Sequence, residues 1–199
     1  MKIALLKNIL LPIALTCFTL TASADWVLKN SESSLNFISI KKLTTGEVHS
    51  FKDLQGSVKK NGDVNVSVKL SSVETNIPIR NDRMQQFLFE VTKFPQATAS
   101  TKIDLKRIEK MKAGDSYTEK FPLKLSLHGH DLNVKAEMRI SLLNGKKLLV
   151  STIKPVIVNA ADFALVKGLE KLQELAKLPS ISTAVPVSAS FIFENDNSK

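Results

Sequence analysis

The chain has 199 residues, a formal net charge of +9 and one cysteine, Cys17. A single cysteine cannot form an intramolecular disulfide, so the fold must be held together by its own apolar core. The lysines are spread along the chain instead of being clustered. This distribution indicates a solvated surface with some attraction to an anionic membrane, and it argues against a nucleic-acid site.

The first 24 residues have the features of a secretory signal peptide. Lys2 and Lys7 form a basic head, and an apolar run follows over residues 9–20. That run is shorter than the roughly 20 residues that are needed to span a bilayer. We therefore expect cleavage after Ala24, a periplasmic location, and a single domain over residues 25–199.

Cys17 allows one alternative, a lipoprotein signal that is cut just before a lipidated cysteine. Thr16 is larger than the small residue that is usual at that position, and the apolar run continues beyond Cys17. These two features favour export of a soluble protein. Cleavage after Ala24 would remove the cysteine and two lysines, which lowers the net charge from +9 to +7.

Alternation of apolar and polar residues with a period of two dominates the rest of the chain. Clear examples are "DVNVSVKL" (63–70), "FPLKLSL" (121–127) and "VPVSASFIF" (185–193). Turn sequences separate such segments, namely "KNGD" (60–63), "AGDS" (113–116), "HGHD" (128–131) and "LNGK" (143–146). This pattern predicts a mainly β domain, an antiparallel barrel or sandwich with one apolar face.

Two segments break the alternation. Residues 79–89, "IRNDRMQQFLF", follow Pro78 and predict a short helix or a crossover. Residues 165–178 carry leucines at the spacing of an amphipathic helix, which Pro179 would end. The leucines of this stripe are Leu165, Leu169, Leu172 and Leu175.

His128 and His130 lie on either side of Gly129, between two alternating segments. This arrangement predicts a tight hairpin with both histidines exposed. A zinc site usually needs three or four ligands, and only His49 remains to join the pair, so a histidine metal site is a remote alternative. The chain has no "GxSxG" elbow, and its one cysteine lies in the signal peptide. The sequence therefore does not predict an enzyme.

Six stretches follow one another in a distinctive order. They are "SSLNF" (33–37), "SFKDLQGSV" (50–58), "SSVETNIPIR" (71–80), "KFPQATAS" (93–100), "LSLHGHDLNV" (125–134) and "PVSASFIF" (186–193). In this order and spacing they resemble the YceI-like family, exported proteins that bind polyisoprenoids in a lipocalin-like barrel. The resemblance implies a single antiparallel barrel of about eight strands and no catalytic activity. It also implies no cofactor, with an isoprenoid lipid or a quinone as the bound ligand.

The chain departs from the family pattern at several polar positions. Glu32, Lys41 and Arg83 stand where many members have histidine, and His49 stands where glycine is usual. The resemblance and the supply of apolar side chains together give candidate cavity-lining residues. These are Phe37, Phe51, Leu54, Met84, Phe87, Phe89 and Phe94.

Asn76 and Arg80 are candidates for the polar end of the ligand site. The alternative is that they brace the crossover, with Arg80 paired to a carboxylate such as Asp82. Two hypotheses depend on whether the inward side chains wrap a hollow or fill it. The first is a lipid carrier, and the second is an envelope stress or interaction protein with a filled barrel. The sequence leaves the oligomeric state open, a dimer included.

Overall fold

A computed structural model describes residues 24–143 and 146–195 of this chain. The predicted signal peptide lies outside the described residues, apart from Ala24, where the first strand begins. Cys17 also lies outside them. Among the described residues, no helix is both long and apolar enough to cross a membrane.

Twelve strands in the described part of the chain form one antiparallel sheet. They are β1 (Ala24–Leu28), β2 (Ser34–Lys41), β3 (Thr45–Phe51), β4 (Leu54–Lys59), β5 (Asp63–Lys69), β6 (Val73–Glu74), β7 (Gln96–Lys102), β8 (Ser116–Leu127), β9 (His130–Leu142), β10 (Lys147–Thr152), β11 (Val156–Asn159) and β12 (Ala184–Asn195).

The sheet is an eight-stranded up-and-down barrel, because four of the strands continue another strand across a short break. β1 and β2 pair in succession with β12, while β4 and β3 pair with β1 and β2. In the same way β6 continues β5, and β11 continues β10. Pairing of Leu28 with Phe193 closes the ring. The predicted single antiparallel barrel is confirmed.

Helical segments lie at both ends of the barrel. One end carries α2 (Leu105–Glu109). At the other end, α1 (Pro78–Arg83) continues into a π-helical turn (Met84–Leu88), and α3 (Val166–Leu175) lies beside that turn. Both insertions follow strands that run in the same direction, so they reach the same end. Both helical predictions are confirmed, although α3 is shorter than the segment 165–178.

The interior has a packed base and a roof. Apolar side chains from the strands fill the base, and Ile108 of α2 closes it from below. Residues of the base include Trp26, Leu28, Leu54, Phe121, Met138, Ile140, Leu148, Phe191 and Phe193. The roof is the π-helical turn and α3, together with the buried side chains of Ala160, Phe163 and Leu165 that lie between β11 and α3.

Gly168 sets the close approach of α3 to the π-helical turn. A Cβ atom at this position would lie 2.6 Å from the carbonyl oxygen of Phe87 and 2.8 Å from the Cα of Leu88. Both distances are far below ordinary van der Waals contact, so only glycine fits without displacing the backbone. The roof is therefore held by direct contact between two insertions that are about eighty residues apart in sequence.

The predicted hairpin between β8 and β9 is present. His128 and Gly129 both have positive φ, at 51° and 77°, as a type I′ turn requires. His130 is exposed, but the expectation that His128 is exposed was wrong. The side chain of His128 is 11% exposed, with Nδ1 3.2 Å from the Phe163 carbonyl oxygen and Nε2 3.1 Å from Glu90 Oε2. The roof covers this end of the hairpin, which the local sequence cannot indicate.

Candidate functional site

A cavity of about 530 Å³ lies between the packed base and the roof. Ligand pockets of proteins usually have volumes of about 300–1,000 Å³. Side chains from β2, β3, β5, β7, β8, β9, β11 and β12 form its walls, and α1, the π-helical turn and α3 close it above. The upper half of the barrel is therefore hollow, which the filled-barrel hypothesis does not predict.

Inward positions on β2 and β3 change from apolar to charged between the depth of the cavity and its opening. From the inside outwards, those on β2 are Leu35, Phe37, Ser39 and Lys41. Those on β3 are Phe51, His49 and Glu47. The period of two places every second residue on the inner face, and the cross-strand register sets the two series side by side. The cavity therefore has an apolar interior and a polar opening.

Four of the seven predicted apolar residues come together on the cavity wall, namely Phe37, Phe51, Met84 and Phe89. The ring centroids of Phe37 and Phe51 lie 5.4 Å apart, and those of Phe51 and Phe89 lie 5.8 Å apart. These separations are typical of packed aromatic pairs. The aromatic series therefore extends from the β2–β3 wall to the roof.

Leu54, Phe87 and Phe94 lie outside the cavity lining. Leu54 is buried in the base, because β4 begins below the break that follows β3. Phe94 packs on the ring of His128, with the ring centroids 4.3 Å apart. Phe87 is half-buried, and the π-helical turn buries Met84 and Leu88 instead.

The two predicted polar residues separate. Asn76 is exposed and has a φ of 60°, and its backbone N–H donates to Glu74 Oε1 at 2.7 Å. It shapes a turn and does not line the cavity. Arg80 does line it, and its Nη2 donates to the backbone carbonyl of Thr75 at 2.7 Å.

A polar rim stands at the opening of the cavity, formed by Lys41, Glu47, Arg80 and Arg83. Arg80 Nη1 donates to Glu47 Oε2 at 2.7 Å, and Lys41 Nζ lies 2.9 Å from Glu47 Oε1. The partner of Arg80 is therefore Glu47 and not Asp82, which sequence proximity suggested. The hydrogen bond from Lys41, with Arg80 nearby, holds the pKa of Glu47 below its ordinary value. The single negative charge of Glu47 thus lies between two of the three cations of the rim, Lys41 and Arg80, and it offsets part of their combined positive charge.

His49 lies just inside the rim and is 4% exposed. Its Nε2 is 2.9 Å from Ser39 Oγ. Burial, and then the charge of Arg80, lower the pKa of His49, which keeps the ring neutral at neutral pH. Its Nδ1 and the Nε of Arg80 are buried without a hydrogen-bond partner in the described part of the chain. Unpaired buried polar atoms of this kind are uncommon and call for an explanation.

Arg83 is absent from the predicted site, and so are three strand residues of this polar end, Lys41, Glu47 and His49. Counting by two from Phe37 to Lys41, and back from Phe51 to Glu47, would have placed them on the inner face. Lys41, His49 and Arg83 are also positions where the chain departs from the family pattern. All three line the cavity.

The histidines are not arranged as a metal centre within the described residues. His49 contacts Ser39, whereas His128 contacts Glu90 and the backbone of Phe163. Over residues 24–143 and 146–195, no three side chains of His, Cys, Asp or Glu are grouped so that they could hold a metal ion.

Comparisons with known proteins agree with the architecture. A polyisoprenoid binding domain from Saccharophagus degradans, implicated in plant cell wall breakdown, is 32% identical in sequence, with a TM-score of 0.85. The alignment covers 87% of this chain and 99% of that domain. A search of curated proteins gives no significant match.

Two more distant structures share the fold. BcnA of Burkholderia cenocepacia is 16% identical with a TM-score of 0.63, and the match covers 83% of this chain and 98% of BcnA. The YCEI protein of Campylobacter jejuni is 18% identical with a TM-score of 0.52, over 74% of this chain and 84% of that protein. The family model of the YceI-like domain matches residues 26–193. The chain therefore belongs to the YceI-like family.

Proposed function

We propose that this protein binds and carries a long-chain polyisoprenoid lipid, or a related isoprenoid such as a quinone, in the periplasm. The observation that carries the proposal is the apolar cavity of about 530 Å³ inside a closed barrel. The 32% identical domain from Saccharophagus degradans is described as polyisoprenoid binding, which supports a ligand of the same class. The predicted signal peptide supports the location.

The energetics favour an isoprenoid tail as the cavity's guest. Burial of a methylene-sized group is worth about 0.8 kcal/mol, so one five-carbon unit contributes about 4 kcal/mol before costs. Loss of translational and rotational freedom costs an estimated 4–15 kcal/mol, to which ordering of the tail adds. Several buried units are therefore enough for tight binding without any covalent bond.

The polar rim suits the head group of such a lipid. Arg80 Nε is a donor without a hydrogen-bond partner among the described residues, and Nδ1 of the neutral His49 ring also has no hydrogen-bond partner there. A hydroxyl, carbonyl or phosphate oxygen at the opening would satisfy the arginine donor, and its own proton or lone pair would satisfy the imidazole. The tail would then extend past Phe37 and Phe51 towards the base.

The contact between Ser39 and His49 resembles the nucleophile and base of a hydrolase. In such enzymes a third group orients the histidine through its other nitrogen. His49 Nδ1 has no such partner in the described residues. We therefore assign this pair to recognition of the head group and not to catalysis.

The direct test is to purify the protein from cells that export it, extract it with organic solvent, and identify the extract by mass spectrometry. We expect close to one long-tailed apolar molecule per protein. Empty extracts from several preparations, together with no uptake of a fluorescent isoprenoid, would contradict carriage. Amino-terminal sequencing of the same material tests cleavage after Ala24, and cell fractionation tests the periplasmic location.

A further inference from the structure

The outer wall of the barrel carries an apolar row beside the cavity's opening. Ile157 lies opposite Pro186, and Ile38 lies opposite Val48. Pro186 and Ile38 adjoin, because their neighbours Val187 and Phe37 are a registered pair. The row thus crosses four strands, from β11 to β3, and Val48 is 64% exposed. Outward positions of a barrel that faces water on its outer side are normally polar.

Another part of the wall has the normal pattern. The outward residues Asn65, Ser100 and Lys124 lie side by side on β5, β7 and β8. All three are polar, and they occupy the same kind of position as Pro186, Ile38 and Val48. The apolar row is therefore a local feature and not a property of the whole outer surface.

The row continues to the tip of the β2–β3 hairpin. Leu43 is 84% exposed, and it has a φ of 66°, next to Lys42 with a φ of 52°. The left-handed region is costly for a bulky side chain, and glycine or asparagine usually takes such turn positions. A strained and exposed leucine adds nothing to packing within the monomer. Outliers of this kind are characteristic of functional surfaces.

The crossover before α1 adds two more apolar side chains at the same end. Ile77 and Ile79 line the opening and are exposed. The ion pairs Arg80–Glu47 and Glu47–Lys41 connect this crossover to the β2–β3 hairpin. Exposed apolar residues therefore stand on both sides of the opening.

Exposed cations accompany these apolar residues. Lys42 is exposed, and its backbone N–H donates to the Ser180 carbonyl at 3.1 Å, so the hairpin adjoins the loop that follows α3. That loop contributes Lys177, which is exposed as well. Apolar side chains that are flanked by lysines are typical of surfaces that rest in the interface of an anionic bilayer.

We propose that this docking surface, formed by Lys42, Leu43, Ile77, Ile79 and Lys177 around the opening, binds a lipid bilayer with anionic head groups. The three apolar side chains enter the interface, the lysines contact lipid phosphates, and the apolar row that crosses from β11 to β3 lies along the membrane surface. A second copy of the chain is the other occupant that an apolar surface could take. A symmetric dimer would bring the lysines of two copies together and cover the opening, and neither consequence favours it.

Vesicle co-sedimentation of the purified protein tests the proposal. We expect binding to vesicles of phosphatidylcholine mixed with phosphatidylglycerol, and little binding to phosphatidylcholine alone or at high salt. L43D should weaken binding about tenfold or more, because a charge replaces an inserted leucine. K42Q should weaken it about fivefold, since a lysine near an anionic surface contributes about that factor.

V27D is the matched control, because Val27 is an exposed apolar residue at the opposite end of the barrel. It should bind vesicles like the parent protein. L43G removes the strain as well as the side chain, so it should weaken binding while the protein becomes no less stable. Leu43 does not line the cavity, so these variants should take up a fluorescent isoprenoid normally. This separates failure of docking from failure of lipid carriage.

Two results would overturn the proposal. The first is equal vesicle binding by L43D and V27D. The second is absence of vesicle binding together with a concentration-dependent dimer that L43D abolishes, which would assign the surface to a second copy.

Discussion

A bulky side chain on the cavity wall should weaken lipid binding, whereas it should leave any role that does not need a hollow barrel unchanged. Ala99 of β7 lines the cavity and lies between Val66 and Leu125 in the sheet. In Ala99→Trp an indole would occupy space that we assign to about one isoprene unit. Loss of that unit forfeits up to about 4 kcal/mol of burial. A shorter ordered tail recovers about 1 kcal/mol of that loss.

The net loss of about 3 kcal/mol corresponds to a Kd that rises roughly a hundredfold. Titration with a fluorescent isoprenoid measures this change, and thermal unfolding shows whether the variant folds. Ser100→Trp is the control, because it places the same side chain on the same strand but facing outwards beside Asn65 and Lys124. If both variants fold and bind alike, the tail does not occupy this cavity.

Two further predictions concern stability. Gly168→Ala should lower the free energy of unfolding by about 1–3 kcal/mol in urea titrations, because overpacking against Phe87 outweighs the usual gain of about 1 kcal/mol for alanine in a helix. Gly46→Ala is the control and should not destabilise the protein, because its Cβ would meet only Ile38 Cγ2 at 3.9 Å. An equal loss of unfolding free energy in the two variants would refute the close contact between Gly168 and the π-helical turn. The lowered pKa of His49 means that the unfolded state binds this proton more readily, so stability should fall as the pH drops below about 6.5. Unfolding measured at pH values from about 7 down to 5 should show this fall in the parent protein and in His130→Gln, and a smaller fall in His49→Gln. If the free energy of unfolding of His49→Gln depends on pH as that of the parent does, His49 does not titrate as its burial requires.

The strand pattern could be predicted because each strand alternates strictly enough to identify its inner face. The breaks within strands could not be predicted, because their cause is distant in sequence. Asn30 Nδ2 donates to the Lys52 carbonyl, and Asn30 Oδ1 accepts from the Leu54 N–H, both at 2.9 Å. One side chain thus ties the break between β1 and β2 to the break between β3 and β4. Nothing in the sequence near Asn30 reveals partners that lie more than twenty residues away.

The candidate site was only partly predictable, for a similar reason. Phe37 and Phe51 were recognisable because they lie on alternating strands that form the wall. Phe94 and His128 pack on each other across a separation of 34 residues, so neither could be placed from its own neighbours. Arg80 was the one predicted residue of the polar rim. Lys41 and His49 were not predicted, because the candidates on β2 and β3 were apolar residues, although the same strands lead from Phe37 to Lys41 and from Phe51 to His49.

The closed base limits the length of the ligand that the barrel can bind. With Ile108, Trp26 and Phe193 sealing one end, the interior is a blind tube. The tail of the proposed lipid would enter it end first, and the depth of the cavity would fix how many isoprene units are buried. A lipid with a longer tail would leave apolar carbons exposed to water, which would weaken its binding. The depth of the cavity would thereby select lipids by the length of their tails.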